Sequence, residues 1–416
     1  MKLKYDVTVI GGGPAGLAAA IEAKKGDCSV LILERNEELG GILNQCIHPG
    51  FGLQYFKEEL TGPEYAERFI NKVNEMNIDV LLNTMVINIS KDRAITAVND
   101  KGLLKIESGA VILAMGCRER TRGAIMIPGA RPAGVFMAGQ AQRYINMENQ
   151  KIGNKAVILG SGDIGLIMAR RLTLEGIEVV GVFELMPYPN GLLRNIKQCL
   201  EDFNIPLYLS TTVTRIIGKD RIEGVVVSRV DEKLNPIEGT EERIDCDTLL
   251  LSVGLIPENE LSLKAGVELN TRTNGPLVDN DLQTNIPGIF ACGNVLHVHD
   301  LVDHVSREGE LAGQKAVEFI KNKKERGNEI ILKCGKNLVY TVPKYITNTI
   351  DNLVNVYFRV SRPMNNGCLT IKSSKGLIFK GKPENFRPNK MVKFNLPPKI
   401  ISKVSEELYI DVEEGI

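Results

Sequence analysis

No apolar run in this chain approaches the roughly 18 residues that a membrane-spanning helix needs, so no transmembrane segment is expected. The first β-type run starts about five residues after Met1, which leaves no room for a signal peptide. Paired cysteines are missing too. The eight cysteines, at positions 28, 46, 117, 199, 246, 292, 334 and 368, form no CxxC. Their spacing matches neither iron–sulfur nor zinc patterns, and a cytoplasmic protein with reduced thiols fits that usage. Aromatic residues make up only 5% of the chain and do not interleave with basic ones, so nucleic-acid binding is set aside. Net charge is also absent, with 51 Lys and Arg balancing 51 Asp and Glu. What remains is a chain of 416 residues with ordinary globular composition. That length is enough for roughly two or three domains.

The zero sum hides an asymmetry. Residues 321–405 hold 18 Lys and Arg against 4 Asp and Glu, a balance of +14. Residues 1–320 carry 33 against 42, or −9, and the last eleven residues add −5. Two readings stay open. One is a solvated set of strands with a basic helix end at Lys321-Asn322-Lys323-Lys324. The other is a docking face for an acidic partner.

Two phosphate-cradling loops of one design are present. Gly11-Gly12-Gly13-Pro14-Ala15-Gly16 follows the apolar run Val7 to Ile10, and Gly160-Ser161-Gly162-Asp163-Ile164-Gly165 follows Ala156 to Leu159. Each opens a helical stretch and leads to a β run ending in an acid. Glu34 lies 23 residues past the first glycine of its loop, and Glu184 lies 24 past its own. In such a unit the first glycine permits a tight turn and the second lets backbone N–H groups approach a pyrophosphate. The third lets helix and strand pack closely, and the acid accepts hydrogen bonds from ribose hydroxyls. The helix N-terminus adds partial positive charge. One copy alone is a weak signal; two in full strand–loop–helix–strand–acid context predict two dinucleotide sites. The candidate contacts are Gly11, Gly13, Pro14, Ala15, Gly16, Glu34 and Arg35 at the first. At the second they are Gly160, Gly162, Asp163, Ile164, Gly165 and Glu184. A carboxylate at Glu184 bonds a 2′-hydroxyl but repels a 2′-phosphate, and the following Leu185, Met186, Pro187 and Tyr188 offer no arginine. NAD(H) is therefore expected over NADP(H).

Strands alternating with helices predict an α/β fold with two Rossmann-like dinucleotide-binding domains. Helices are expected over Gly62 to Met76, from Leu192 to Phe203, and from Val305 or Ser306 to about Ile320. Beyond residue 330 the character changes. Leu353 to Val360, Leu369 to Ser373, Gly376 to Lys380 and Met391 to Leu396 are short strand-like runs, which predicts a small β-rich C-terminal module.

The order of these motifs resembles the two-dinucleotide-binding flavoproteins, the superfamily of thioredoxin reductase and the pyridine nucleotide–disulfide reductases. There the first unit binds FAD and the second NAD(P)H. Ala114-Met115-Gly116-Cys117-Arg118-Glu119-Arg120 is similar to the connecting ATGxxxR segment, with Met115 in place of Thr, and Ser252-Val253-Gly254 resembles its counterpart in the second domain. Gly288-Ile289-Phe290-Ala291-Cys292-Gly293-Asn294 resembles the GxFAxGD segment that meets the flavin ribityl chain, with Asn294 replacing aspartate. The resemblance adds Gly41, Asn44, Gln45, Ala114, Gly116, Arg120, Gly254, Gly293 and Asn294 to the candidate cofactor contacts. It implies an FAD domain of residues 1–118 with 271–328, an NAD domain of 119–270 and a module of 329–416.

A narrower likeness rests on Gly40-Gly41-Ile42-Leu43-Asn44-Gln45-Cys46-Ile47-His48, on Glu58-Glu59-Leu60-Thr61-Gly62-Pro63-Glu64-Tyr65, and on His297-Val298-His299-Asp300-Leu301-Val302-Asp303. These segments resemble flavoproteins found beside FAD-dependent glycerol-3-phosphate dehydrogenases. Flavin subunits of opine and proline dehydrogenases and of hydrogen cyanide synthase look related. The resemblance implies an FAD- and NAD(H)-dependent oxidoreductase, a partner dehydrogenase or electron-acceptor subunit, and a homodimer or hetero-oligomer.

Within that resemblance, the redox cysteine pair of disulfide reductases is reduced to a single Cys46. Cys46 and the histidines His48, His299 and His304 are the candidate catalytic residues. Cys46 as a sulfenic-acid cysteine would make the protein an NADH oxidase or peroxidase; a redox-sensing regulatory subunit is the other alternative. The cluster His297-x-His299-Asp300-x-x-x-His304 matches no common zinc spacing, so no metal ligand is assigned.

Overall fold

Val7, Val9 and Ile10 end the strand Lys2–Ile10, and their side chains are removed from water. Continuous apolar runs of this kind suit a parallel sheet covered on both faces. The strand lies inside a seven-stranded sheet, with Val9 opposite Ile32 of Val30–Leu33 on one side and Ile112 of Gly102–Leu113 on the other. Gly102–Leu113 takes the hairpin strand Ala94–Asn99 along its first half and the parallel strand Ile289–Ala291 along its end. A segment from late in the chain is thereby brought beside the first glycine loop.

The computed structural model of the chain describes residues 2–322, 329–347, 353–404 and 406–414. Lys323 and Lys324 of the basic helix end lie outside the described residues. The chain forms two compact units, Met1–Cys117 with Pro257–Ile416, and Arg118–Ile256. Residues 257–270, expected with the second unit, belong to the first. Asn259 Nδ2 donates to Val295 O at 2.9 Å and Lys264 Nζ to Ile87 O at 3.0 Å, contacts that a local reading of the chain does not reveal.

The second unit centres on five parallel strands in the order Val135–Met137, Thr248–Leu251, Lys155–Leu159, Glu178–Phe183 and Leu207–Tyr208. An antiparallel sheet of Thr211–Ile217, Gly224–Arg229 and Glu242–Asp245 completes it. The fold is thus α/β with parallel Rossmann-like sheets, as the alternation of elements predicts.

The C-terminal region is β-rich. Its strand-like runs form Val354–Val360, Met364–Ser373, Gly376–Lys380 and Val392–Leu396, and Glu407–Glu414 pairs with Met364–Ser373. Ile330, Leu332, Phe358, Ile371, Leu408 and Ile410 make a buried apolar cluster of its own.

The helix Gly62–Glu75 begins in a capping box, Thr61 with Glu64, where the Glu64 carboxylate accepts from Thr61 N at 2.7 Å. The long helix Val302–Asn322 starts earlier than the expected Val305. Asp303 sits in its first turn, where a carboxylate is favourable, and accepts from Gln54 N at 3.1 Å and Tyr55 N at 2.6 Å.

Candidate dinucleotide-binding and redox site

The two glycine loops repeat each other at the level of single atoms. Gly11 has φ +108° and Gly160 φ +97°, conformations that favour glycine. A Cβ on Gly11 would lie 2.3 Å from Ala114 O, and one on Gly160 2.1 Å from Ser252 O. A Cβ on Gly16 would lie 1.9 Å from Gly11 O, and one on Gly165 2.6 Å from Gly160 O. These contacts hold each helix tight against its loop. The middle glycines differ in purpose. A Cβ on Gly13 would meet nothing within 4 Å, and one on Gly162 only ordinary contact at 3.5 Å.

Gly13 and Gly162 are the N-caps of the helices Pro14–Lys25 and Asp163–Leu174, and neither supplies a side-chain cap. Pro14 pre-sets the first turn. Ala15 and Gly16 are buried behind it, and Ile164 packs against the core of its own unit. Unobstructed middle glycines at uncapped helix starts fit a dinucleotide pyrophosphate.

The acids are repeated as well. Glu34 accepts from Gly12 N at 2.7 Å and Asn36 N at 2.8 Å. Glu184 accepts from Ser161 N at 2.9 Å and Met186 N at 2.9 Å. Both carboxylates are buried, and each retains lone pairs for a ribose hydroxyl. Arg35, next to Glu34, is exposed. Asp163 ties down the segment after Glu184, accepting from Leu192 N at 2.8 Å and Asn195 Nδ2 at 2.6 Å.

Around the first loop, Gly41 adopts φ +60° and a Cβ there would sit 3.1 Å from Gly13 Cα. The Asn44 amide braces its own turn, with Nδ2 2.9 Å from Glu38 Oε1 and 2.9 Å from Leu39 O, while Gln45 is buried. Ala114 N donates to Ile10 O at 2.9 Å, and Gly116 O accepts from Glu258 N at 3.0 Å. In the second unit Arg120 N donates to Gly254 O at 3.0 Å. Both of those residues are exposed.

The late motif meets the first loop directly. A Cβ on Gly293 would lie 2.7 Å from Ala15 Cβ, and one on Gly309 2.2 Å from Ala15 O. Gly313 stands in the same relation to Ala19 O, at 2.3 Å. The helix Val302–Asn322 thus packs at close range on Pro14–Lys25 through two glycines four residues apart. Sequence reasoning missed this pair, although its spacing was visible. Asn294 Oδ1 accepts from His299 N at 3.1 Å, keeping one lone pair for a ligand.

The candidate catalytic residues have different local partners. Cys46 is buried, its Sγ 3.2 Å from Ile42 O, and burial pushes its thiol up to about 12. A thiol held protonated is a poor nucleophile, which works against the sulfenic-acid role. His48 is partly exposed and lies against Phe51, ring centroids 5.0 Å apart. His304 Nε2 is 3.2 Å from Gln54 Oε1. His299 instead joins His297 and Glu308 in a buried group. Glu308 Oε1 is 3.0 Å from His297 Nε2 and 3.5 Å from His299 Nε2, and its Oε2 accepts from Gly293 N at 2.6 Å. Burial, with His299 beside it, lowers His297 to about 4, so its ring is neutral at ordinary pH. Glu308 was not singled out from sequence, because its partners are close in space and not in spacing.

Residues 5–313 match the family described as pyridine nucleotide-disulphide oxidoreductase. Hydrogen cyanide synthase subunit HcnB of Pseudomonas protegens is 27% identical over 297 residues, covering 66% of this chain and 62% of that protein. The chain therefore spans less than two thirds of that relative. Thioredoxin reductase of Listeria innocua is 26% identical over 330 residues, 77% of this chain and 95% of that protein. Among solved structures, thioredoxin reductase of T. acidophilum shares the fold, with a TM-score of 0.63 at 24% identity over 76% of this chain and 98% of that one. No helix among the described residues is long and apolar enough to cross a membrane. With the match running over well beyond half its length, the chain belongs to the pyridine nucleotide-disulphide oxidoreductase family of FAD- and NAD(P)H-dependent enzymes.

Proposed function

We propose that this protein is an FAD-containing, NAD(H)-dependent oxidoreductase that exchanges electrons with a partner dehydrogenase subunit or a small acceptor. The observation that carries this reading is the doubled cradle, each copy with its own buried acid. In this reading the loop of Gly11, Gly13 and Gly16 with Glu34 holds FAD, together with Gly293 and Asn294. The loop of Gly160, Gly162 and Gly165 with Glu184 holds NAD(H). FAD and NAD(H) supply the hydride chemistry when bound. The chain contributes binding, orientation and the choice of nicotinamide. Glu184 selects for a free 2′-hydroxyl by charge, since a buried carboxylate repels a phosphate in its place.

Two features support a separate acceptor subunit. The segment Gly40 to His48 carries one cysteine, Cys46, its thiol pushed up by burial, where disulfide reductases carry a pair, so this motif offers no disulfide relay. HcnB, similar over most of this chain, is named as a subunit. The narrower resemblance points to a partner acting on glycerol 3-phosphate or an amino acid.

Anaerobic titration of the purified protein with NADH, then NADPH, tests the reading. Loss of the flavin band near roughly 450 nm with NADH, at concentrations at least about tenfold below those NADPH needs, is expected. A protein that neither contains nor takes up flavin overturns it. Co-expression with candidate dehydrogenase subunits acting on glycerol 3-phosphate or an amino acid tests the partner, with copurification and acceptor turnover as the expected result.

A further inference from the structure

We infer that His297, His299 and Glu308 form a buried three-ligand binding site for one divalent first-row transition metal, with zinc(II) the ion that suits the ligand set. The inference stands apart from the nicotinamide reading, because none of the three residues belongs to either glycine loop.

The three ligand atoms lie within 4.8 Å of one another. Glu308 Oε1 is 3.0 Å from His297 Nε2 and 3.5 Å from His299 Nε2. Adjacent ligands of a tetrahedral zinc, bound at about 2.0–2.1 Å, are separated by about 3.4 Å. The three side chains are 0%, 0% and 2% exposed.

Hydrogen bonding orients the His299 ring, while His297 Nε2 is held against Glu308 Oε1 at 3.0 Å. His299 Nδ1 is 2.9 Å from His297 O, an acceptor only, so Nδ1 carries the hydrogen and donates. In the neutral tautomer this leaves Nε2 as the ligating atom, and Nε2, buried and without a hydrogen-bond partner, lies 3.5 Å from Glu308 Oε1. A divalent cation between that nitrogen and the Glu308 carboxylate would satisfy both in this buried place. A ring nitrogen anchored to a backbone carbonyl with its other nitrogen turned inward is the usual arrangement of a metal-bound histidine.

Charge points the same way. Among the described residues Glu308 makes no ion pair with a lysine or arginine, and the nearby Arg359 is engaged by Asp300. A buried carboxylate is stable when it is paired or coordinates a metal. Two imidazoles with one carboxylate favour zinc and its neighbours over magnesium or calcium, which prefer oxygen ligands. Glu308 Oε2 also accepts from Gly293 N, so a metal here would fix the loop of Gly293 to His299 onto the helix Val302–Asn322.

The test is metal analysis of the full-length protein, grown with added zinc and desalted. About one zinc per chain is expected in the wild type and less than about a tenth in His299→Ala and in Glu308→Gln, while His48→Ala keeps the full amount. Should the buried variants fail to fold, cobalt(II) substitution of the wild type provides an independent reading. Visible d–d absorption and X-ray absorption with imidazole scattering are expected at one equivalent. A wild type that retains less than about a tenth of an equivalent of either ion overturns the inference. So does a cobalt spectrum of six oxygen ligands, or zinc that survives undiminished in a folded His299→Ala.

Discussion

Glu184 does two things at once, and they can be separated. Its carboxylate satisfies Ser161 N and Met186 N inside the protein, and in the proposed reading it also sets the charge that the ribose of NAD(H) meets. Glu184→Ala should leave those N–H groups without an acceptor, costing about 1–3 kcal/mol of stability in a denaturant titration. It should also lower the NADH-over-NADPH preference in kcat/KM by about tenfold or more, since the charge that excludes a phosphate is gone. An unchanged cofactor ratio in a folded variant would remove the selection argument. Cys46 allows an opposite expectation. With its thiol raised to about 12 by burial, it stays protonated at every pH below that, and its reactivity should appear only as pH climbs toward it. Iodoacetamide should leave Cys46 unlabelled in the folded protein, and Cys46→Ser should keep flavin reduction by NADH within about twofold. Rapid labelling there, read by peptide mass spectrometry, would restore the peroxidatic alternative.

Among the elements, the helix Val302–Asn322 depends on having no side chain at Gly309 and Gly313. Gly309→Ala would drive a methyl into Ala15 O, 2.2 Å away, behind the first phosphate loop. Overpacking of this kind costs about 1–3 kcal/mol, so a lower melting temperature and weaker flavin retention on gel filtration are expected together. A variant that melts lower yet holds flavin as tightly would uncouple the helix from the loop. The same helix shows what a sequence can disclose. The units Lys2–Glu34 and Lys155–Glu184 were legible because turn, helix start and acid are set by neighbours along the chain. The strands of the C-terminal region were legible as runs, but their partners were not: Glu407–Glu414 inserts between earlier strands through distant pairings, as Ile371 with Ile410 and Leu332 with Leu408 illustrate. Residues 257–270 and the Glu308 cluster escaped for the same reason. Their contacts are chosen by tertiary packing, to which local spacing carries no signal.

On the scale of the whole first unit, the C-terminal sheets are fastened to the loop that follows Asn294. Arg359, from Val354–Val360, pairs with Asp300 and donates to Val298 O at 3.2 Å. Asp300 Oδ2 accepts from Met391 N at 2.6 Å. Tyr340 and Val342 join the apolar core of the nucleotide-binding sheet, and Tyr357 lies 5.4 Å from the His297 ring. The basic surplus of residues 321–405 is therefore not wholly a free surface, because at least Arg359 is consumed in this attachment. Each partner of the Arg359–Asp300 pair is only 18% exposed, so removing one leaves a largely desolvated charge on the other. Arg359→Met alone, or Asp300→Asn alone, should cost toward the lower end of about 3–5 kcal/mol. The double variant should recover part of that loss, since neither charge is then stranded. Thermal unfolding of the four proteins, followed by flavin release as well as by circular dichroism, checks both parts. Coupling in both signals would mean that the module braces the flavin loop. Coupling in circular dichroism alone would confine the pair to stability, and purely additive losses would mean that the ion pair does not hold the two together.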